Sequence, residues 1–359
     1  MEVALPDETH PVRVEVRSFL DEHPDPDPAD LAAACLVAPG WPEPWGRSAD
    51  TLERLAIDLE LAAAGLDPIA HNPIGIGWAG PTILAAGTEA QRERFLAPLL
   101  AGEEFWCQLF SEPEAGSDLA SLTTTAARDG DVYVVNGQKV WNTWADRADF
   151  GILLARTDPA APKHRGISYF ICPMDRDGIE VRPIKQMTGE STFCEVFFTD
   201  VRIPADLLVG EEGVGWNLAR MTLGNERMTL STGGVLWGSG PSAAEIVDRA
   251  RGTDDPRIAD QAVQLHIESR VLERLSFRIL SEVLAGRDPA LLAAMRKYLA
   301  DQHGQAAMEL AIGSLGVDGM LDVGEPTREY LYARALTIGG GTTQVLADLI
   351  AERALGLPR

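Results

Sequence analysis

Apolar residues along this chain change their period twice, and those two changes limit what it can fold into. In TLERLAIDLELAAAGL (51–66) and EAQRERFLAPLLAGEEF (89–105) they recur at three- and four-residue intervals, the spacing of a helix with one buried face. Between these segments, LDPIAHNPIGIGWAGP (66–81) is rich in Pro and Gly and is expected to bend. From about residue 107 the texture turns to short β-branched and aromatic runs: VYVVNGQKVW (132–141), GILLARTD (151–158), GISYFICP (166–173) and FCEVFFTDVRIP (193–204). Within the first run, Asn136-Gly137 predicts a hairpin turn between two short strands. Helical spacing returns after Glu211, in GWNLARMTLGNERMTLSTGGVLWG (215–238), RIADQAVQLHIESRVLERLSFRILSEVLAG (257–286) and LLAAMRKYLADQHGQAAMELAIGSLG (291–316). Strands and helices never alternate as βαβ units. The expectation is an α+β fold with a helical region over 1–106, a small β domain over 107–210 and a helical domain over 211–359.

Several function classes fall away on composition. The 359 residues are 45% hydrophobic and 24% charged, enough to bury a core. A net charge of −23 argues against nucleic acid, whose phosphates need a basic footprint. Cys35, Cys107, Cys172 and Cys194 lie far apart with no CxxC pair, and read as free thiols of a reducing compartment. The six histidines form no metal-binding motif. The N-terminal MEVALPDETHP has no apolar signal-peptide core, and no run of 18 apolar residues exists. A cytoplasmic enzyme or assembly subunit, with no membrane span and no metal, is expected.

The C-terminal stretch TIGGGTTQ (337–344) places three glycines ahead of an amphipathic run, VLADLIAERAL. A glycine turn feeding a helix N-terminus offers free N–H groups and a positive dipole end, which suits a phosphate. An ordinary loop before a last helix has the same look.

QLFSEPEAGSDLASL (108–122) is the most specific segment. With GQKVWNTWADRAD (137–149), FFTDVRIPADLLVGEEGVGW (197–216) and the terminal TIGGGTTQVLADLIAERALGLPR, it resembles the acyl-CoA dehydrogenase family. The resemblance runs through the chain past Gly102; the N-terminal third matches only in texture. It implies an N-terminal helical domain, a middle small β-barrel or sandwich and a C-terminal four-helix bundle. It also implies FAD, an acyl-CoA substrate, electron-transfer flavoprotein or a similar acceptor, and a dimer or tetramer, homomeric or heteromeric.

By this resemblance the loop carrying Gln108, Phe110, Ser111, Gly116 and Ser117 meets the flavin with main-chain and hydroxyl groups. Ser117 also touches the CoA chain. Trp141 covers a flavin face and Thr143 bonds near N5. Asn142 and Trp144 stand where many relatives carry Ile and Asn. Thr342, Thr343 and Gln344 correspond to residues that hold the cofactor, often that of a neighbouring subunit. Gly316 falls on the adenosine-side glycine segment, while Gly313 replaces a common Gln. Arg251, in DRARGTDDPR, is the surviving candidate for an arginine that contacts the pyrophosphate across an interface.

The family's reaction removes a proton α to a thioester while hydride leaves the β carbon for flavin N5, so a carboxylate must face the α carbon. Many members carry that Glu two residues before the Thr aligned with Thr342; here the position is Gly340. A subset places it on an earlier helix, just before an Arg. TLGNERMTLSTGG (222–234) resembles that helix, with Glu226 at the base position, Arg227 beside it and Asn225 before it as a substrate contact. Gly339 and Gly340 leave room for a bulky acyl group, as in actinobacterial members that act on steroid side chains as heterotetramers. Glu112 and Asp118 are expected to fix their own loop, and Glu195 to point outward from its strand. The expected activity is α,β-desaturation of an acyl-CoA with Glu226 as base. The rivals are a non-catalytic partner subunit of an α2β2 complex, an oxidase or monooxygenase, and a dehydrogenase of carrier-protein-bound acyl groups.

Overall fold

A computed structural model describes residues 6–231, 245, 247–248, 251, 255–321 and 324–358, the side chains of 227–231 excepted. Its contacts divide the chain into two units, Met1–Gln186 with Ser191–Asn225, and Met187–Glu190 with Glu226–Arg359.

The first unit begins with helices α1 (Pro11–Glu22), α2 (Pro28–Ala33), α3 (Thr51–Ala63), α4 (Gly80–Ala86) and α5 (Glu89–Leu100). Three of them start at reciprocal capping boxes, Asp27/Asp30, Asp50/Glu53 and Thr88/Gln91, in which each side chain takes up an N–H that the helix end leaves over. The Pro/Gly-rich stretch does bend, and it then coils through residues 75–79 into α4. Buried Asn72 holds that bend, donating to the Glu104 carbonyl at 2.8 Å and accepting from the Trp106 N–H at 3.2 Å.

Eight strands follow: β1 (Trp106–Leu109), β2 (Thr125–Asp129), β3 (Val132–Thr143), β4 (Phe150–Arg156), β5 (Ile167–Pro173), β6 (Ile179–Ile184), β7 (Phe193–Pro204) and β8 (Leu208–Val209). They form one mixed sheet in the order β6-β7-β3-β2-β4-β5-β8, with β1 parallel to β4. Strands β4 and β5 are buried on both faces, as their unbroken apolar runs require. Alternate side chains go to different cores. Ile152, Leu154, Tyr169 and Ile171 pack with the N-terminal helices. Leu153, Ala155, Phe170 and Cys172 join Tyr133, Val135, Val196 and Ile203 in a second cluster, around which the sheet curls. Cys107, Cys172 and Cys194 are buried free thiols in that cluster, and Cys35 is a half-buried one.

The Asn136-Gly137 hairpin is not formed. Residues 132–143 run as one strand, paired with β7 nearly end to end. Asn136 instead faces a bulge at Thr199–Asp200, where its side chain donates to Asp200 Oδ1 at 3.0 Å and accepts from the Asp200 N–H at 2.9 Å. Gly137, at φ +151°, is needed for a close approach, because a Cβ there would lie 2.4 Å from Thr124 Oγ1. Asn-Gly signals a local backbone exception, and here tertiary pairing used it within a strand rather than at a turn.

Helix α6 (Gly215–Ser231) leads from this unit into the second. The second unit contains α7 (Pro256–Leu284), α8 (Ala290–Gly313), α9 (Glu325–Tyr332) and α10 (Thr343–Arg353). Ala262 and Leu265 of α7 pack on Ala307 and Leu310 of α8, one apolar face on another.

Substituting Gly137 by Ala forces the new methyl into Thr124 at a φ that L residues rarely adopt. The expected loss is about 2–4 kcal/mol in urea unfolding. A loss below about 0.5 kcal/mol, the range of a neutral surface change, would show that the approach is not tight.

Candidate active site

In the first unit, strand β3 grips the loop 108–112 with three successive contacts. Asn142 Nδ2 donates to the Gln108 carbonyl at 2.7 Å, the Val140 N–H to the Ser111 carbonyl at 2.9 Å, and Lys139 Nζ to the Phe110 carbonyl at 3.0 Å. Four residues of the sequence-derived site, Gln108, Phe110, Ser111 and Trp141, thus lie on two backbone segments bonded to each other, and Thr143 ends the second. Gly116 and Ser117 lie exposed further along the loop.

Lys139 is the fixed point. Its side chain is 0% exposed and pairs with Glu112 at 2.9 Å. Glu112 also accepts from the Thr123 N–H and hydroxyl at 2.6 and 2.8 Å and from the Thr124 N–H at 2.9 Å. Burial pushes the Glu112 carboxyl up, but the Lys139 charge and these donors outweigh it and bring it down to about 2. Burial lowers the Lys139 ammonium to about 8, against the pull of Glu112. Both groups are charged at neutral pH. Glu112 therefore fixes its loop through an ion pair, a role wider than the turn contact expected of it. Asp118 holds the outer part, accepting from Ser121 at 2.6 Å and from Lys163 at 2.8 Å.

One residue past Lys139 the strand bulges. Val140 and Trp141 together face one residue of β7, and Trp141 takes φ +63°. The bulge turns the indole outward to 61% exposure, between buried Val140 and Asn142. A non-glycine residue in the left-handed region costs about 1–3 kcal/mol and is retained where surroundings over-determine it. Here those are the Asn142 bond and an edge contact of the indole with Phe193, centroids 6.1 Å apart. An outward indole, with half-buried Ser111 and Thr143 on the same two bonded segments, offers a planar aromatic ring a face and hydrogen-bonding groups.

Helix α6 is pinned by a buried hydroxyl cluster. Thr222 Oγ1 lies 2.8 Å from Thr82 Oγ1 and 3.2 Å from the Tyr169 hydroxyl, and bonds the Leu218 carbonyl at 3.1 Å. Burial pushes the Tyr169 phenol up, so it stays protonated. Glu226 follows one turn later on the same side of the helix and is buried, with 6% exposure. Asn225 is half-buried. The Arg227 side chain lies outside the described residues.

In the second unit, Gly340, Thr342, Thr343 and Gln344 share one turn. Gly340 and Gly341 adopt φ +66° and +102°, and Thr342 caps α10 by accepting from the Val345 N–H at 3.2 Å. Gly316, at φ +59°, opens the short helical turn after α8. Arg251 pairs with Asp248 at 2.8 Å on the surface.

Sequence reasoning missed Lys139, Thr82, Tyr169 and Thr222. A lysine at an inward position of an alternating strand was the one available sign, since its partner lies 27 residues away.

Family models of the acyl-CoA dehydrogenase N-terminal, middle and C-terminal domains match residues 6–103, 107–201 and 213–355. The chain belongs to the acyl-CoA dehydrogenase family. It is 43% identical over 332 residues to acyl-CoA dehydrogenase FadE34 of Mycobacterium tuberculosis, covering 92% of this chain but only 46% of FadE34. It thus spans about half that relative's length. Acyl-CoA dehydrogenase IpdE1 of the same organism is 41% identical over 338 residues, with coverages of 92% and 86%. A solved structure, the Tcur3481-Tcur3483 steroid ACAD, is 28% identical with a TM-score of 0.81 and covers both chains completely. This is an oxidoreductase family of flavoproteins. No helix among the described residues is long and apolar enough to cross a membrane.

Replacing Lys139 by Met leaves a buried carboxylate without its cation, and about 3–5 kcal/mol should be lost at pH 7 in chemical unfolding. The double change Lys139→Met with Glu112→Gln should lose much less. Because Glu112 is held below its ordinary 4.5, its contribution is complete above pH 4.5 and fades as pH falls toward about 2. The difference between parent and Lys139→Met should therefore shrink at pH 3; an equal difference at both pH values would contradict the assignment.

Proposed function

We propose that this chain is an FAD-dependent acyl-CoA dehydrogenase that desaturates the α,β bond of a bulky acyl-CoA thioester, with Glu226 as base. The observation that carries the reading is a carboxylate on α6 screened from water, combined with a glycine in left-handed conformation at the family's commoner base position. At φ +66°, a Glu at position 340 would cost about 1–2 kcal/mol in backbone strain. The turn as folded favours the helix as the home of the base.

The outward Trp141, the Ser111 and Thr143 hydroxyls and the clamped 108–111 backbone fit an isoalloxazine ring, and the Thr342–Gln344 turn fits the rest of the dinucleotide. Bound FAD supplies the hydride acceptor. Glu226 takes the α proton, and its burial keeps water from competing for it. Ser117 meets the CoA chain, with Asn225 and Arg227 as further substrate contacts; the backbone room at Gly339 and Gly340 admits a wide acyl group. The steroid ACAD among the structural relatives supports a steroid-type side chain as that group. Gly316 and Arg251 complete the dinucleotide site in an oligomer. The electron acceptor is an electron-transfer flavoprotein or its equivalent, and the setting is cytoplasmic.

Two observations favour a second reading. FadE34 is about twice as long as its match to this chain, and the steroid ACAD bears two names. Both suit a subunit that works beside a second, homologous chain, with Glu226 incidental if the chemistry belongs to that partner.

Anaerobic flavin reduction by a turned-over acyl-CoA separates the two. Glu226→Gln should keep flavin and slow reduction roughly 10²–10⁴-fold, about 3–5 kcal/mol. Adding Gly340→Glu to Glu226→Thr should restore part of the rate, limited by the strain at 340. A Glu226→Gln rate within about threefold of the parent, only about 0.7 kcal/mol, would mean that the proton goes elsewhere. Reduction by no acyl-CoA, alone or with a co-purified partner, would favour the partner-subunit reading.

A further inference from the structure

A second buried ion pair lies in the C-terminal unit, and none of the site residues named above belongs to it. On α8, Lys297 and Asp301 are 0% and 1% exposed in their side chains and pair at 2.5 Å. Gln305 follows at the next i+4 position, so the three form a polar line along one side of the helix. Each cationic or amide donor reaches the chain that leads into the glycine turn. Lys297 Nζ points at the Leu336 carbonyl, 3.4 Å away. Gln305 Nε2 donates to the Ala333 carbonyl at 3.0 Å and to Thr337 Oγ1 at 3.1 Å. Thr337 passes the constraint on, because its own carbonyl accepts from the Thr343 N–H at 3.0 Å. On the apolar side Met308 packs with Ala333 and Leu336.

The physical need is local. Residues 333–335 form a short helical turn ahead of the glycine run; its Ala333 carbonyl accepts from the Leu336 N–H at 3.2 Å and its Ala335 carbonyl from the Ile338 and Gly339 N–H groups, both at 3.0 Å. A long amide and a long ammonium from α8 add donors from outside the turn, at the Ala333 and Leu336 carbonyls. A buried ion pair is a poor source of stability, since apolar residues of like volume do as well or better. What it gives here is position: it aims one charged donor at one carbonyl.

We propose that Lys297, Asp301 and Gln305 are positioning residues that set the Thr337–Gln344 turn for the dinucleotide. This rests on the reading of Thr342, Thr343 and Gln344 as cofactor contacts. The closing experiment is chosen so that the two fail separately. Its first readout, amide exchange in the flavin-free chain, needs no cofactor; its second is the FAD dissociation constant from fluorescence titration.

In Lys297→Met/Asp301→Leu, which removes both charges, the thermal midpoint should stay at or above the parent's. Gly339, Thr343 and Val345 amides should exchange at least tenfold faster, Leu310 and Ala311 unchanged, and FAD should bind at least tenfold more weakly. Thr337→Val should reproduce the faster exchange, and Thr337→Ser, which keeps the hydroxyl, should restore parental rates. Turn amides within twofold of the parent in the double variant and in Thr337→Val would overturn the proposal. If the double variant does not fold, the Thr337 pair decides alone. Faster exchange with no FAD binding by the parent would sink the cofactor reading and leave the positioning intact.

Discussion

The Lys139 ammonium has no access to water, and the first half of the candidate site hangs from it. Taking both charges out of water costs several kcal/mol per ion, recovered only where every remaining hydrogen-bonding position is served. Glu112 takes three donors besides Lys139, and Lys139 places two of its three N–H donors, on Glu112 and on the Phe110 carbonyl. The pair therefore fixes two segments far apart in sequence to within hydrogen-bond tolerance. The Trp141 bulge begins one residue later, so the direction of the indole depends on where Lys139 is held. A hydrophobic substitute could fill the same volume, but it would not select one carbonyl.

Much of this was legible in the sequence where the information is local. Helical period over 51–66 and 89–105 corresponds to α3 and α5, and the apolar runs at 151–158 and 166–173 to β4 and β5. Legibility failed where a residue answers to a distant one. Asn136-Gly137 has the chemistry of a turn, yet its partners are Asp200 and Thr124, which no local window contains. Lys139 reads as a charge on a strand until Glu112 is beside it. The site divides along the same line. The loop 108–117 and the turn 340–344 are contiguous motifs and could be named from the sequence. The supports beneath them, Lys139, Thr222 and Lys297, act through folding and could not.

The two halves use one device. In each unit a buried lysine holds a carbonyl near a backbone segment with exceptional φ values: Lys139, two residues before Trp141, holds that of Phe110, and Lys297 holds that of Leu336, four residues before Gly340. Strained or left-handed backbone persists only when its neighbours over-determine it. A lysine does this economically, because one long, directional donor reaches a carbonyl from a different element while its charge is answered by a carboxylate nearby.

This bears on where a base can stand. A turn built on two consecutive left-handed residues is a good cradle and a poor platform: a Glu at 340 would adopt a conformation that only glycine takes without strain. A helix has the opposite character. Its Cβ directions are fixed by the backbone, and α6 is locked in rotation by Thr222 against Thr82 and Tyr169, one turn before Glu226. Under the proposal that Glu226 is the base, moving the carboxylate from turn to helix relieves two demands that conflict at one position. The turn keeps its glycines, and the carboxylate, so placed, gains a rigid mount. On that proposal the hydroxyl cluster at Thr222 serves to hold the helix that carries the carboxylate, and the glycines at 340 and 341 are left free to shape the turn.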